Sequence, residues 1–88
     1  MSELQIKKDK LINFIDKNKD KWVHASKSIH AKPELGNQEF FAQKTLGKLL
    51  EDSNFSVQYN IVSHETGFIA RKSSSKTGPK IAFLAEYD

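Results

Sequence analysis

Ile81-Ala82-Phe83-Leu84-Ala85, running directly into Glu86-Tyr87-Asp88, is the stretch whose reading decides the fold. Five apolar residues in a row, set off by Gly78-Pro79, have the pattern of a strand covered on both faces, as in a parallel α/β sheet. Such sheets carry their sites beyond the carboxyl ends of the strands. Side chains alternate along a strand, so Glu86 and Asp88 would project to one side, about 7 Å apart. Two carboxylates so placed suit a metal or acid–base site, and they make only its edge. The expectation is an α/β fold of which this chain, 1–88, is a single segment at the start of a longer enzyme, with no internal boundary and an incomplete sheet.

Upstream, the order reads helix, helix, strand, strand, strand. Leu4, Leu11, Ile15, Trp22 and Ile29 recur at spacings of seven, four, seven and seven, widened by Ile12 and Val23. This is one face of a long amphipathic helix from Glu3 to about Ile29, with Trp22 as a packing anchor. Pro33 disfavours helix at Lys32, and Gly36 supplies a flexible position, so Ala31 to Gly36 is a connector. Asn37 reads as an N-cap with Glu39 in the first turn of a second helix, whose apolar side carries Leu46, Leu49 and Leu50. Gly47 lies inside that helix, a position that marks close packing. Phe55, Val57 and Tyr59 then alternate with Ser56, Gln58 and Asn60, the period of a half-buried strand. His64-Glu65-Thr66-Gly67 reads as a turn, Phe68 to Lys72 as a second strand, and Ser73 to Pro79 as a polar loop.

Composition narrows the function classes. The chain has 88 residues, no cysteine and a net charge of +3. Without cysteine there is neither a disulfide framework nor a thiolate ligand in this stretch. The first residues lack the pattern of a signal peptide, and no apolar run approaches the roughly 20 residues of a membrane span, so a soluble cytoplasmic protein with no membrane partner is expected. All but one of the 14 basic residues are lysines, Arg71 being the exception. Base readout and bidentate phosphate contacts favour arginine, and the lysines of the first helix are interleaved with Asp9, Asp16 and Asp20. That is a solvated helix face, and nucleic acid is not an expected partner.

The isolated glycines form no phosphate-binding loop, and no serine sits on a nucleophile elbow. Metal chemistry is the better candidate. His30, Glu34, Glu39, His64, Glu65, Glu86 and Asp88 are eligible ligands by type, although no two form a short paired motif. For Glu34 and Glu39 the plainer reading is electrostatics at a helix start, and for His64-Glu65 a turn beside a strand end. His24 has no partner at a ligand spacing and reads as a surface or structural residue.

His30-Ala31-Lys32-Pro33-Glu34-Leu35-Gly36-Asn37-Gln38-Glu39 resembles the H-x-x-P-E-L-G-x-x-E signature of the zinc-dependent amidohydrolases and peptidases of family M-twenty. The branch it resembles holds aminobenzoyl-glutamate hydrolases and N-acyl amino acid amidohydrolases. Thr66-Gly67-Phe68 and Gly78 to Asp88 resemble the next two strands of that branch, in the same order. The resemblance implies a metallopeptidase-like catalytic domain with an inserted smaller domain that makes a homodimer. It also implies two divalent metals, zinc by default with manganese or cobalt able to serve, and a small amide or dipeptide substrate. Asp88 keeps the catalytic-site aspartate, which would orient a metal ligand. Glu86 stands where related branches carry a histidine, a departure that leaves it a weak metal ligand, the main ligands being implied further along. His30, Glu34 and Glu39 would shape the packing near the site. The contrasting expectation is a self-contained basic α+β module that binds a partner through its first helix. An RNA-binding platform of Phe55, Tyr59 and Phe68 ranks last, because no arginine is interleaved with those rings.

Overall fold

The computed structural model describes residues 2–87. Its elements are α1 (Glu3–His30), α2 (Phe40–Asp52), β1 (Ser56–Ile61) and β2 (His64–Arg71). The two strands form one antiparallel sheet, so the architecture is α+β rather than the parallel α/β arrangement read from the sequence. Residues up to Ala31 and residues from Lys32 onward make two compact units.

The first unit is α1, within a residue of the span set by its apolar spacing. Ser2 starts it: its backbone is extended and its hydroxyl accepts the Gln5 N–H at 3.1 Å. Glu3 lies in the first turn and Lys27 and His30 in the last, which opposes charge to the helix dipole at both ends. Leu4, Leu11, Ile12, Phe14 and Ile15 keep at least half their surface exposed. The Phe14 and Trp22 rings tilt against each other with centroids 5.9 Å apart.

The second unit begins with the expected connector. Asn37 is not the N-cap of α2: its φ of 65° is left-handed, whereas an N-cap needs extended backbone, and Glu39 holds the cap position. Glu39 makes no capping hydrogen bond with its side chain. The exposed amides are taken from further back, by Glu34. The helix ends on Asn54, φ 69°, with the Asn54 N–H donating to Glu51 O at 3.0 Å and the Phe55 N–H to Leu50 O at 2.9 Å. Those two bonds are a Schellman closure, with asparagine where glycine is commonest.

β1 buries alternate residues as its period requires, Val57, Tyr59 and Ile61 facing inward. The hairpin turn lies at Val62-Ser63 and not at His64 to Gly67, which belong to β2. Both turn residues have positive φ, 47° and 63°. This is the φ signature of a two-residue I′ turn, and it carries neither the asparagine nor the glycine that would announce it. The register then slips. Between the pairs Tyr59↔Phe68 and Ile61↔His64, β1 contributes Asn60 alone while β2 contributes Glu65, Thr66 and Gly67. Asn60 takes a φ of 57° at this bulge.

Residues 81–85 do not form the expected third strand. They are irregular and open to solvent, with Ile81 77%, Phe83 92% and Leu84 99% exposed. An apolar run states a demand for cover, whereas a strand exists only through a ladder, and no described element offers this one a ladder.

Gly47 packs α2 on the sheet. A Cβ placed there would meet the Tyr59 hydroxyl and lie 2.8 Å from its Cε1. The Tyr59 ring cannot easily retreat, because its hydroxyl donates to Glu51 Oε1 at 2.7 Å and its face meets Phe68 at 6.1 Å. Gly47→Ala should therefore destabilise the chain by about 1–3 kcal/mol, overpacking outweighing the roughly 1 kcal/mol that alanine gains in helix propensity. Adding Tyr59→Leu should recover most of the loss, as read by urea denaturation of both variants.

Candidate functional site

The connector, α2, β2 and Tyr87 contribute to one polar cluster around the β2 bulge. Glu34, in the connector before α2, accepts the Phe41 N–H at 2.9 Å on Oε2 and the Ala42 N–H at 3.0 Å on Oε1. Both carboxylate oxygens thus cover amides of the first turn of α2, where negative charge also complements the helix dipole. One turn along, Gln43 is buried on the sheet side. Its Nε2 donates to Glu65 O at 2.9 Å and to Gly67 O at 3.2 Å. Thr66 between them is 3% exposed, and its hydroxyl donates to Glu39 Oε1 at 2.9 Å. The Thr66 carbonyl accepts the Tyr87 hydroxyl at 2.7 Å.

All three bulge carbonyls are therefore taken by side chains. Asn60 is their only counterpart on β1, and an unpaired buried carbonyl is costly. The aromatic rings continue the connection: Tyr59 meets Phe68, and Phe68 meets Tyr87 with centroids 6.5 Å apart.

The electrostatics follow from these contacts. The Thr66 hydroxyl, followed by backbone hydrogen bonds, holds the Glu39 carboxyl below its ordinary value of 4.5. Burial, then the charges of Glu39 and Glu34, then Tyr59, push the Tyr87 phenol above its ordinary 10.0. Hydrogen bonding to Glu51, ahead of burial and charge, raises Tyr59.

The structure thus brings Glu34 and Glu39 to opposite ends of one hydrogen-bonded chain and joins Tyr87 to it. His30 stands exposed in the last turn of α1, and Glu86 is exposed. His64 and Glu65 are exposed residues of β2. Asp88 lies outside the described residues. Gln43 and Thr66, which carry the cluster, were missed from sequence. A glutamine on an apolar helix face was the available signal for the first, and Thr66 was marked only as part of the Thr66-Gly67-Phe68 stretch of the resemblance, with no role attached.

Among the described residues, no three histidine, aspartate or glutamate side chains are grouped to hold a metal. Glu34 has both oxygens committed to backbone amides, and Glu39 gives one to Thr66. The cluster does not fit a metal; its chemistry is that of a structural clasp. Among the same residues, no helix is long and apolar enough to cross a membrane. No protein-family model matches the chain, and no curated protein matches it.

Gln43→Met keeps the side chain's length and removes its donor. It should destabilise the chain by about 1–3 kcal/mol through the two stranded carbonyls, measured by thermal or urea unfolding. The Glu39 contact gives a pH dependence of definite sign. A carboxyl whose folded value is depressed contributes stability in full above its unfolded value of 4.5, and the contribution is lost as pH falls through the lower folded value. Glu39→Gln should lower stability at pH 6, where that contribution is fully present, and flatten the acid limb, so that denaturation curves of variant and wild type converge as pH falls from 6 to about 3.

Proposed function

We propose that the chain is the N-terminal segment of the catalytic domain of a metal-dependent amidohydrolase. The enzyme hydrolyses the amide bond of an N-acyl amino acid, a dipeptide or an aminobenzoyl-glutamate-like compound, in the cytoplasm and as a homodimer. The observation that carries this reading is a convergence. Residues from the three stretches that resemble the M-twenty family are linked in the second unit: Glu34 holds the start of α2, Glu39 accepts from the Thr66 hydroxyl, and Tyr87 donates to the Thr66 carbonyl. Residues far apart in sequence that form one contact set are what a shared scaffold requires.

In this reading the chain supplies structure and the edge of a site. Glu34 and Glu39 hold α2 and the hairpin together, and His30 closes the helix before them. Asp88 orients a metal ligand, and Glu86 is at most a peripheral carboxylate. Two zinc ions, or manganese or cobalt in their place, would polarise the amide carbonyl and acidify a bound water; their ligands belong to residues outside this sequence.

The test uses the full-length protein that contains this segment, loaded with zinc or manganese and offered N-acyl amino acids, dipeptides and aminobenzoyl-glutamate. Chelator-sensitive hydrolysis of at least one class is expected, with residues 1–88 alone inactive and Asp88→Asn lowering kcat by about 10–100-fold. Full-length protein that hydrolyses none of the three would sink the proposal. So would zinc-dependent hydrolysis by residues 1–88 alone.

A further inference from the structure

Glu86, Tyr87 and Asp88 alternate acidic and aromatic, and the fold holds Tyr87. Tyr87 is half-buried while every residue from 72 to 86 is exposed. Its hydroxyl donates to Thr66 O at 2.7 Å and its ring lies 6.5 Å from that of Phe68. No other residue between 77 and 87 makes a described hydrogen bond back to the hairpin. The same Thr66 turns its hydroxyl to Glu39, so the hold on Tyr87 runs without a gap to the first turn of α2.

We propose that Tyr87 is a positioning residue: its two contacts pin the backbone from which Glu86 and Asp88 spring, and so set where those carboxylates stand. This rests on the amidohydrolase reading for its consequence in catalysis, and on the hairpin contacts alone for the pin itself. The physical need is plain. Residues 80–86 lack a ladder, so their backbone is not fixed by secondary structure, and a carboxylate displaced by about 1 Å can lose a factor of about 100 in rate. A tyrosine supplies one directed bond and one broad apolar face, both of which are used. The bulge supplies the acceptor, since Asn60 alone faces three β2 residues.

Tyr87→Phe keeps the ring and removes the bond. Amide hydrogen exchange across residues 80–87 should quicken by about tenfold or more in this variant, with exchange in α2 unchanged. In the full-length enzyme kcat should fall by about 10–100-fold with KM nearly constant, and Tyr87→Leu, which also removes the ring, should fall further. Exchange that does not respond to Tyr87→Phe overturns the pin whatever the enzyme does. Quickened exchange with kcat unchanged overturns the positioning role and leaves the amidohydrolase reading standing. A wild-type enzyme with no amidase activity, but with the exchange response intact, removes that reading and keeps the pin. A Tyr87→Phe protein that fails to fold would make the hydroxyl a core requirement of the whole unit and would also overturn the proposal.

Discussion

One residue of β1 standing opposite three of β2 is the constraint on which the second unit depends. A ladder with matched strands would satisfy the carbonyls that face the partner strand. The bulge instead leaves the carbonyls of Glu65, Thr66 and Gly67 to be satisfied from elsewhere, and Gln43 and Tyr87 satisfy them. Gln43 can do so only if α2 lies on the sheet at a fixed height, and Glu34 fixes the start of that helix by holding its first amides. The close approach of Gly47 to Tyr59 then sets the distance between helix and sheet. Polar and steric fit thus position a unit whose buried residues are small or hydrophilic: Ala42, Gln43, Gly47 and Thr66.

What could be read from the sequence follows from how local each cause is. The span of α1 was legible because its apolar period of about 3.6 residues lies wholly within the segment. The alternation of β1 was legible for the same reason. The hairpin turn was not, because Val62 and Ser63 take left-handed backbone that their side chains do not favour, the more so for β-branched Val62. Their conformation is imposed by the strands on either side. The start of α2 was misplaced by a few residues because the capping group is Glu34, seven positions before the first amide it accepts, and local cap rules look one turn away.

The failure at Ile81 to Ala85 has a different cause. Hydrophobicity reports what a segment would gain by burial, about 25 cal/mol per Å² of apolar surface removed from water, and says nothing of which partner removes it. Five apolar residues are therefore a correct signal of demand and an insufficient signal of strand. The α/β reading rested on this run alone, so fold class changed with it, while the elements read from periodicity kept their places.

The candidate site divides along the same line. Residue type identified Glu34 and Glu39 as carboxylates worth explaining, and type alone cannot distinguish a metal ligand from a helix cap, because both need an anionic oxygen directed at positive charge. Only geometry separates them: a carboxylate whose two oxygens each accept a backbone N–H near 3 Å is already neutralised by a helix terminus. Its signature spacing then has a mechanical meaning. Pro33 disfavours helix at the residue before it, Glu34 reaches the amides of Phe41 and Ala42, and Glu39, at the cap position itself, turns toward Thr66 on the hairpin. The two glutamates work at the same helix start, one joined to the helix and the other to the sheet. Exchanging either for a neutral residue of similar shape therefore loosens a different joint, which is why a spacing of five residues between them has structural content independent of any chemistry the rest of the protein performs.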